Sequence, residues 1–321
     1  MARILDINYY VPPEKITNQY LSEKFKKWNP ENIFKKTGIQ ERGKAGENIT
    51  AGDLAIIASE KLFAASDIPK NSIDALIFIT QTPNQCLPST SCEIHAALGL
   101  KQECGAFDVN QGCAGYIYGL NLASSLIDSA SAKYVLLLTG DTYTKIINES
   151  DSSVAPIFGD GASASIIGPD LKKSYKKSIG RFEFGTDGTK TEFLNCDFGG
   201  FRKEQNTWGK LHMNGAGVMV FTLDIIPKAI NRYLENENLM REDIDMVILH
   251  QANKFILDRL HEKTNLQDKG IICLKEFGNT VSSSIPIALA NSVDLKYKRN
   301  MKILLVGFGV GLSWGITILR L

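Results

Sequence analysis

No apolar run in this 321-residue chain approaches the roughly 18 residues that a membrane-spanning helix needs. The stretch from Met1 to Lys15 carries Asp6, Pro12, Pro13 and Glu14, so it lacks the apolar centre of a secretory signal. Neither sign of charge dominates. With 36 Lys and Arg against 35 Asp and Glu, the net charge is +1, which argues against nucleic acid or a membrane surface as a partner held by bulk electrostatics. Cysteine is sparse, and Cys86, Cys92, Cys104, Cys113, Cys196 and Cys273 show no C-x-x-C spacing. That disfavours both a zinc site and a disulfide framework, so no metal is expected and the thiols read as reduced in a cytoplasmic protein.

What is present is an ordinary globular composition, 44% hydrophobic and 22% charged, enough for one large or two medium cores. Residues 3–9 read as a strand, and Leu21 to Trp28 as part of a short amphipathic helix ended by Pro30. Lys35 to Arg42 reads as a basic loop, ordinarily a solvated face, with charge that also suits a phosphate. Leu54, Ile57, Ala58 and Leu62 recur at helical spacing, the run 73–80 is rich in strand formers, and a helix follows from Pro88 to Leu98. Further strands are expected at 134–140, 164–168, 246–249 and 271–274, the last leading through a loop to a helix containing Ile285 to Leu289.

A repeat organises these elements. Ile68, Ile73-Asp74 and Ile77 are echoed by Leu239, Ile244-Asp245 and Ile248 at a constant offset of 171 residues. The runs 134–141 and 159–168 are echoed by 302–309 and 307–319 at slightly shorter offsets. Two halves, 1–170 and 171–321, each alternating strand and helix, imply a duplicated α/β unit joined through the polar stretch Pro169 to Ser178.

Within the first half, F-D-V-N-Q-G-C-A-G-Y-I-Y-G-L-N-L-A-S-S-L at 107–126 runs from a short strand into a helix, with Cys113 at the junction. The first N–H groups of a helix lack partners and carry partial positive charge, so a thiol there is expected to ionise more readily. The plainer alternative is that a free cysteine simply packs. Two residues in the second half bear on the choice. His250 ends an apolar strand in I-L-H-Q-A-N, and Asn279 sits in the loop F-G-N-T-V-S-S-S. In α/β folds such strand ends carry the chemistry.

The motifs D-V-x-x-x-C-A-G, F-G-D-G-A, H-Q-A-N, G-N-T and G-F-G-V-G-L-S-W-G occur in that order, with T-G-I-Q-E-R at 37–42 and M-N-G at 213–215. Over its full length the chain resembles β-ketoacyl-acyl carrier protein synthase III, a condensing enzyme of the thiolase-like superfamily. The resemblance implies a homodimer of five-layered αβαβα subunits, with Cys113 as nucleophile and His250 and Asn279 as its partners. It implies no cofactor, the substrates being thioesters of coenzyme A or acyl carrier protein. Cys113, Val310 and Gly311 are expected at an oxyanion hole. Lys36, Thr37 and Leu87 are expected against the substrate, as are Ile157, Phe158, Met213 and Met219, and Ala252, Asn253 and Phe308.

Those roles suit a decarboxylative Claisen condensation. A thiolate both attacks and leaves well, and a histidine and an asparagine can both donate to an enolate oxygen. Departures from the family pattern bear on the acyl donor. Where relatives using coenzyme A stack adenine between Trp and Arg, this chain has Asn32 and Lys36; a further family arginine appears as Ser152, and the arginine that the resemblance associates with carrier-protein docking appears as Phe255. A donor carried on acyl carrier protein, or a specialised pathway, is therefore expected. Leu87 replaces a common Phe, which suggests room for more than acetyl, and Val310 replaces the middle of three glycines. Acyl transfer to oxygen or nitrogen, or a polyketide-type condensation, uses the same residues. A cysteine hydrolase with its His 137 residues after the Cys is the distant alternative, and it lacks the C-G-[SA]-C-[WY] signature.

Overall fold

Hydrophobic alternation on strands covered from both sides sets the architecture. The computed structural model describes residues 2–26, 28–169, 178–196, 210–293 and 301–321. In chain order the first elements are β1 (Ala2–Tyr10), β2 (Lys15–Thr17), α1 (Asn18–Lys24), α2 (Pro30–Thr37), β3 (Glu41–Gly43) and α3 (Ala51–Ala65). Then come β4 (Ala75–Ile79), α4 (Thr90–Leu98), β5 (Gly105–Val109), α5 (Gly115–Asp128), β6 (Val135–Asp141) and β7 (Gly161–Pro169). The remainder is β8 (Ile179–Thr186), β9 (Leu194–Cys196), β10 (Leu211–Met213), α6 (Gly215–Asn236), β11 (Met246–Leu249), α7 (Lys254–Thr264), α8 (Ser284–Ser292), β12 (Lys302–Gly309) and β13 (Ser313–Arg320).

One sheet runs β1-β7-β6-β4-β5 and the other β11-β12-β13-β8. In both, a parallel pair (β4 with β6, β11 with β12) continues into antiparallel neighbours. Successive residues of β6 face opposite ways, Val135 and Leu137 toward α5, Leu136 and Leu138 toward the cluster under α3 and α4. β12 divides likewise, Ile303 and Leu305 inward, Leu304, Val306 and Phe308 toward the α6 and α7 side. Strands buried on both faces need no polar alternation, which is why they read as continuous apolar runs. The layers are therefore α3 and α4, the first sheet, α5 and α8, the second sheet, then α6 and α7: the mixed α/β, five-layered arrangement expected. Each buried Leu, Ile or Val contributes roughly 1.5–3 kcal/mol by leaving water.

Four local expectations are corrected. Pro30 opens a helix instead of ending one: Asn29 caps α2 by accepting from the Asn32 N–H, and Pro30 occupies the first turn, where its missing N–H costs nothing. Lys35 to Thr37 are the last turn of that helix, and Arg42 is fully buried, donating to the carbonyls of Ile16 and Pro156 and to Asn18 Oδ1. Residues 271–274 form no strand. Ile271 bonds the Val247 carbonyl, but the next ladder donor, Cys273 N–H, is taken by the Gln251 side chain at 2.6 Å. Pairing beside β11 stops there. Helix α5 begins at Gly115 with Ala114 at its cap, so Cys113 lies just ahead of the first turn. The stretch 170–177, read as the join between halves, lies outside the described residues.

Candidate active site

The C-terminal ends of β5, β11 and β12 converge with the Asn279 loop on one cavity of about 220 Å³. Cys113, His250 and Asn279 line it together with Ile157, Phe158, Met213, Met219, Ala252, Asn253 and Phe308. Lys36 and Thr37 lie further out, with Ile157, Asn253 and Phe255, in an open groove of about 970 Å³. Leu87 is not part of this wall and is 83% exposed.

Cys113 is buried where Gly309 passes so close that a Cβ built there would meet the sulfur at 2.8 Å, so only glycine fits. The N–H groups of Val310 and of Cys113 itself point at the sulfur. Gly309 and Gly311 take the positive φ values here, at 157° and 138°, and Val310 between them is spared one. The early ionisation expected for this thiol is not found. Burial pushes Cys113 up to about 12, with Asp141 adding to the rise, and outweighs the two N–H contacts that favour the thiolate.

His250 leaves β11 with its N–H still paired to the Val306 carbonyl at 2.8 Å. Its Nδ1 meets Ser284 Oγ, at the start of α8, at 2.7 Å, and its ring stands edge-on to Phe308 at 5.4 Å. With Nδ1 engaged, Nε2 is the nitrogen free to serve the cavity. Burial pushes His250 down to about 3, so the imidazole is neutral. Because the Ser284 hydroxyl both donates and accepts, it supports either imidazole tautomer. Asn279 is held by its backbone, its N–H on the Ile157 carbonyl at 2.9 Å and its carbonyl receiving the Gly159 N–H at 3.0 Å. Its Oδ1 accepts from the Val281 N–H at 2.9 Å, which leaves the NH₂ end for a ligand.

A buried neutral thiol beside a buried neutral imidazole has a clear pH signature. Since Cys113 is raised, its thiolate fraction grows about tenfold per pH unit through the neutral range. Alkylation of Cys113 by iodoacetamide is therefore expected to climb steeply from pH 7 to 9. A profile flat between pH 6 and 8 would show a preformed thiolate–imidazolium pair instead.

Three supporting residues escaped the sequence reading. Ser284 is one. Asp141, at the end of β6, accepts from the N–H groups of Gln81 and Ser282 and from Ser282 Oγ, tying the loop after β4 to the Asn279 loop; burial pushes it up to about 7. Asp160, inside the quoted F-G-D-G-A motif, accepts from the Ala45 and Thr144 N–H groups and the Thr144 hydroxyl. The available signal for Asp141 was an aspartate closing a strand that opens on four apolar residues and is buried throughout, a position where an unpaired carboxylate would be costly. Outside the cavity, Lys36 Nζ lies 5.2 Å from the ring of Trp28, a tryptophan–cation pair in which the tryptophan stands four residues before Asn32. Among the described residues no His, Cys, Asp or Glu cluster suits a metal ion, and no helix is long and apolar enough to cross a membrane.

Comparison with known proteins finds two family models. Residues 107–188 match 3-oxoacyl-[acyl-carrier-protein] synthase III, and residues 234–321 match the C-terminal part of 3-oxoacyl-[acyl-carrier-protein] synthase III. A beta-ketoacyl-[acyl-carrier-protein] synthase III of Natranaerobius thermophilus is 35% identical over 99% of both chains. Its counterpart in Oceanobacillus iheyensis is 36% identical over 99% of this chain and 98% of its own. A crystal structure of a 3-oxoacyl-(acyl-carrier-protein) synthase III superposes with a TM-score of 0.95 at 39% identity, covering 100% of this chain and 99% of the other.

Proposed function

The chain belongs to the 3-oxoacyl-[acyl-carrier-protein] synthase III family of condensing acyltransferases, and from that membership we propose that Cys113 carries the acyl group while His250 and Asn279 drive decarboxylation of a malonyl-acyl carrier protein. The observation that carries this reading is the shared cavity lined by a thiol, an imidazole and a carboxamide.

In the first half-reaction the Cys113 proton passes to His250 Nε2 as sulfur attacks the thioester carbonyl. The N–H groups of Cys113 and Val310 receive the oxyanion, each such donor contributing roughly 3–4 kcal/mol. The departing carrier thiolate takes the proton back. In the second, the bond from the malonyl unit to its carboxylate breaks and carbon dioxide leaves. The electron pair forms an enolate whose oxygen accepts from His250 Nε2–H and Asn279 Nδ2–H. The enolate carbon attacks the acyl carbon, and Cys113 departs as a thiolate that takes up one proton from solvent to regenerate the resting thiol. The first step needs Nε2 bare and the second needs it protonated, and the Ser284 hydroxyl suits both.

The substrates are thioesters, with no further cofactor. We infer a donor on acyl carrier protein from Asn32 and Lys36, which stand where relatives using coenzyme A stack adenine between Trp and Arg, although the Trp28–Lys36 pair keeps a weak place for adenine and Arg259 stands 5.7 Å from the Phe255 ring. A homodimer suits two surface features: β5 is an edge strand on which Phe107 is 37% exposed, and Leu87 is an exposed leucine free to enter a partner's acyl pocket. Loading by acyl carrier protein is expected to outpace loading by acyl coenzyme A about tenfold or more. Subsequent malonyl-carrier addition should release one carbon dioxide per 3-oxoacyl product. Equal or faster loading from coenzyme A would reject the donor preference. Acyl transfer without carbon dioxide would reject condensation.

A further inference from the structure

Val281, two residues after Asn279, is held in a strained backbone conformation. Its φ is 53°, in the left-handed region where a side chain branched at Cβ is seldom found, and the residue is fully buried. Such a conformation persists only where the surroundings impose it. What it achieves is local. Placed this way, the Val281 N–H donates to Asn279 Oδ1 at 2.9 Å, which fixes one end of the carboxamide and leaves its NH₂ for a ligand.

Two anchors hold the turn. On one side the Asn279 backbone is paired through its N–H to the Ile157 carbonyl and through its carbonyl to the Gly159 N–H. On the other, Ser282 gives both its N–H, at 3.3 Å, and its hydroxyl to Asp141 Oδ2, and Ser283 Oγ meets Thr139 Oγ1 at 2.7 Å. Thr139 and Asp141 both belong to β6, the middle strand of the first sheet, buried along its whole length. Asp141 Oδ1 meanwhile accepts from the Gln81 N–H at 2.8 Å, so a single buried carboxylate spans the loop after β4 and the turn after Asn279.

We propose that Asp141 is a positioning residue for the enolate step: through Ser282 it keeps Val281 in the left-handed conformation and so aims the Asn279 carboxamide at the enolate oxygen. This inference rests on the reading of Asn279 as a donor to that oxygen. Released from Asp141, Val281 relaxes toward the negative φ its side chain prefers, its N–H leaves Asn279 Oδ1, and the carboxamide is free to rotate. The effect falls on decarboxylation. Acyl loading uses Cys113 and His250, and His250 is braced by Ser284, already within α8.

Single-turnover carbon dioxide release and pre-steady-state Cys113 acylation test this in the full chain, Asp141→Asn, Ser282→Ala, Asn279→Ala and each of the first two combined with Asn279→Ala. Asparagine at 141 keeps one acceptor oxygen. The Gln81 main chain offers only an N–H and needs that oxygen, whereas Ser282 Oγ can accept from the new NH₂, so the Ser282 N–H is the group left unpaired. Asp141→Asn should slow carbon dioxide release about tenfold and Ser282→Ala about threefold, with acylation within about twofold of wild type in both. In the Asn279→Ala background neither should slow release by more than about twofold further, since no carboxamide remains to aim. Losses that add in the double variants overturn the inference. So does carbon dioxide release unchanged in both single variants, or an equal loss of both steps in both. Should Asp141→Asn fail to fold, the Ser282→Ala cycle reads the same coupling. Unchanged carbon dioxide release in Asn279→Ala alone overturns the reading of Asn279, and this inference with it.

Discussion

Replacing Cys113 with alanine is expected to abolish 3-oxoacyl product, lowering kcat/KM by about 10⁴-fold or more, because no sulfur remains to hold the acyl group between the two carrier-bound substrates. Serine in its place should do little better. Its hydroxyl ionises far less readily than even the raised Cys113 thiol, and an alkoxide is a poor leaving group when the enolate attacks. Both substitutions are small and leave the packing against Gly309 nearly intact, so folding, checked by thermal unfolding, should change little. The measurement is product formation with acyl and malonyl carrier thioesters. Turnover by Cys113→Ser within about tenfold of wild type would be incompatible with a sulfur-borne intermediate.

The second large effect separates the half-reactions. His250→Ala and Asn279→Ala each remove one donor from the enolate oxygen, and each should slow decarboxylation of malonyl carrier by about 10²–10³-fold. They should differ in acyl loading. His250→Ala removes the base that accepts the thiol proton from a cysteine whose own ionisation lies near 12, so loading should also fall steeply. Asn279→Ala keeps that base and should load within a few-fold of wild type. Because the Asn279 backbone is pinned at both N–H and carbonyl, truncating its side chain should leave the loop in place. Pre-steady-state acylation against single-turnover carbon dioxide release reads the split. Equal losses in both steps for both variants would mean that the two residues act only on structure.

The parts of the molecule readable from sequence are those where a single local rule has no competitor. Strands such as β6 and β12 carry four or more consecutive apolar residues because both faces are covered, so they announce themselves, and the echo between 73–77 and 244–248 reappears as matching parallel pairs, β4 with β6 and β11 with β12. Cys113, His250 and Asn279 could be brought together in advance because each follows an apolar or extended run whose end belongs at one face. Where two rules compete, the sequence misleads. Pro30 terminates a helix or begins one, and the Asn29 side chain decides. The ladder beside β11 ends because one side chain, Gln251, takes the donor of Cys273. The helix start beside Cys113 favours a thiolate, yet burial acts more strongly in the opposite direction. Long-range pairings leave no spacing to read. Arg42 with Pro156, His250 with Ser284, and Tyr143 with Gln81 join residues 34 to 114 positions apart, and each was invisible until the layers were stacked.

The most direct measurement is intact-mass detection of the enzyme after incubation with an acyl carrier protein thioester, with peptide mapping and a malonyl-carrier chase. The expected result is one acyl group on Cys113, lost on the chase with one carbon dioxide released for each 3-oxoacyl product. An acyl group on another residue, or product formed while Cys113 stays unmodified throughout, would contradict it.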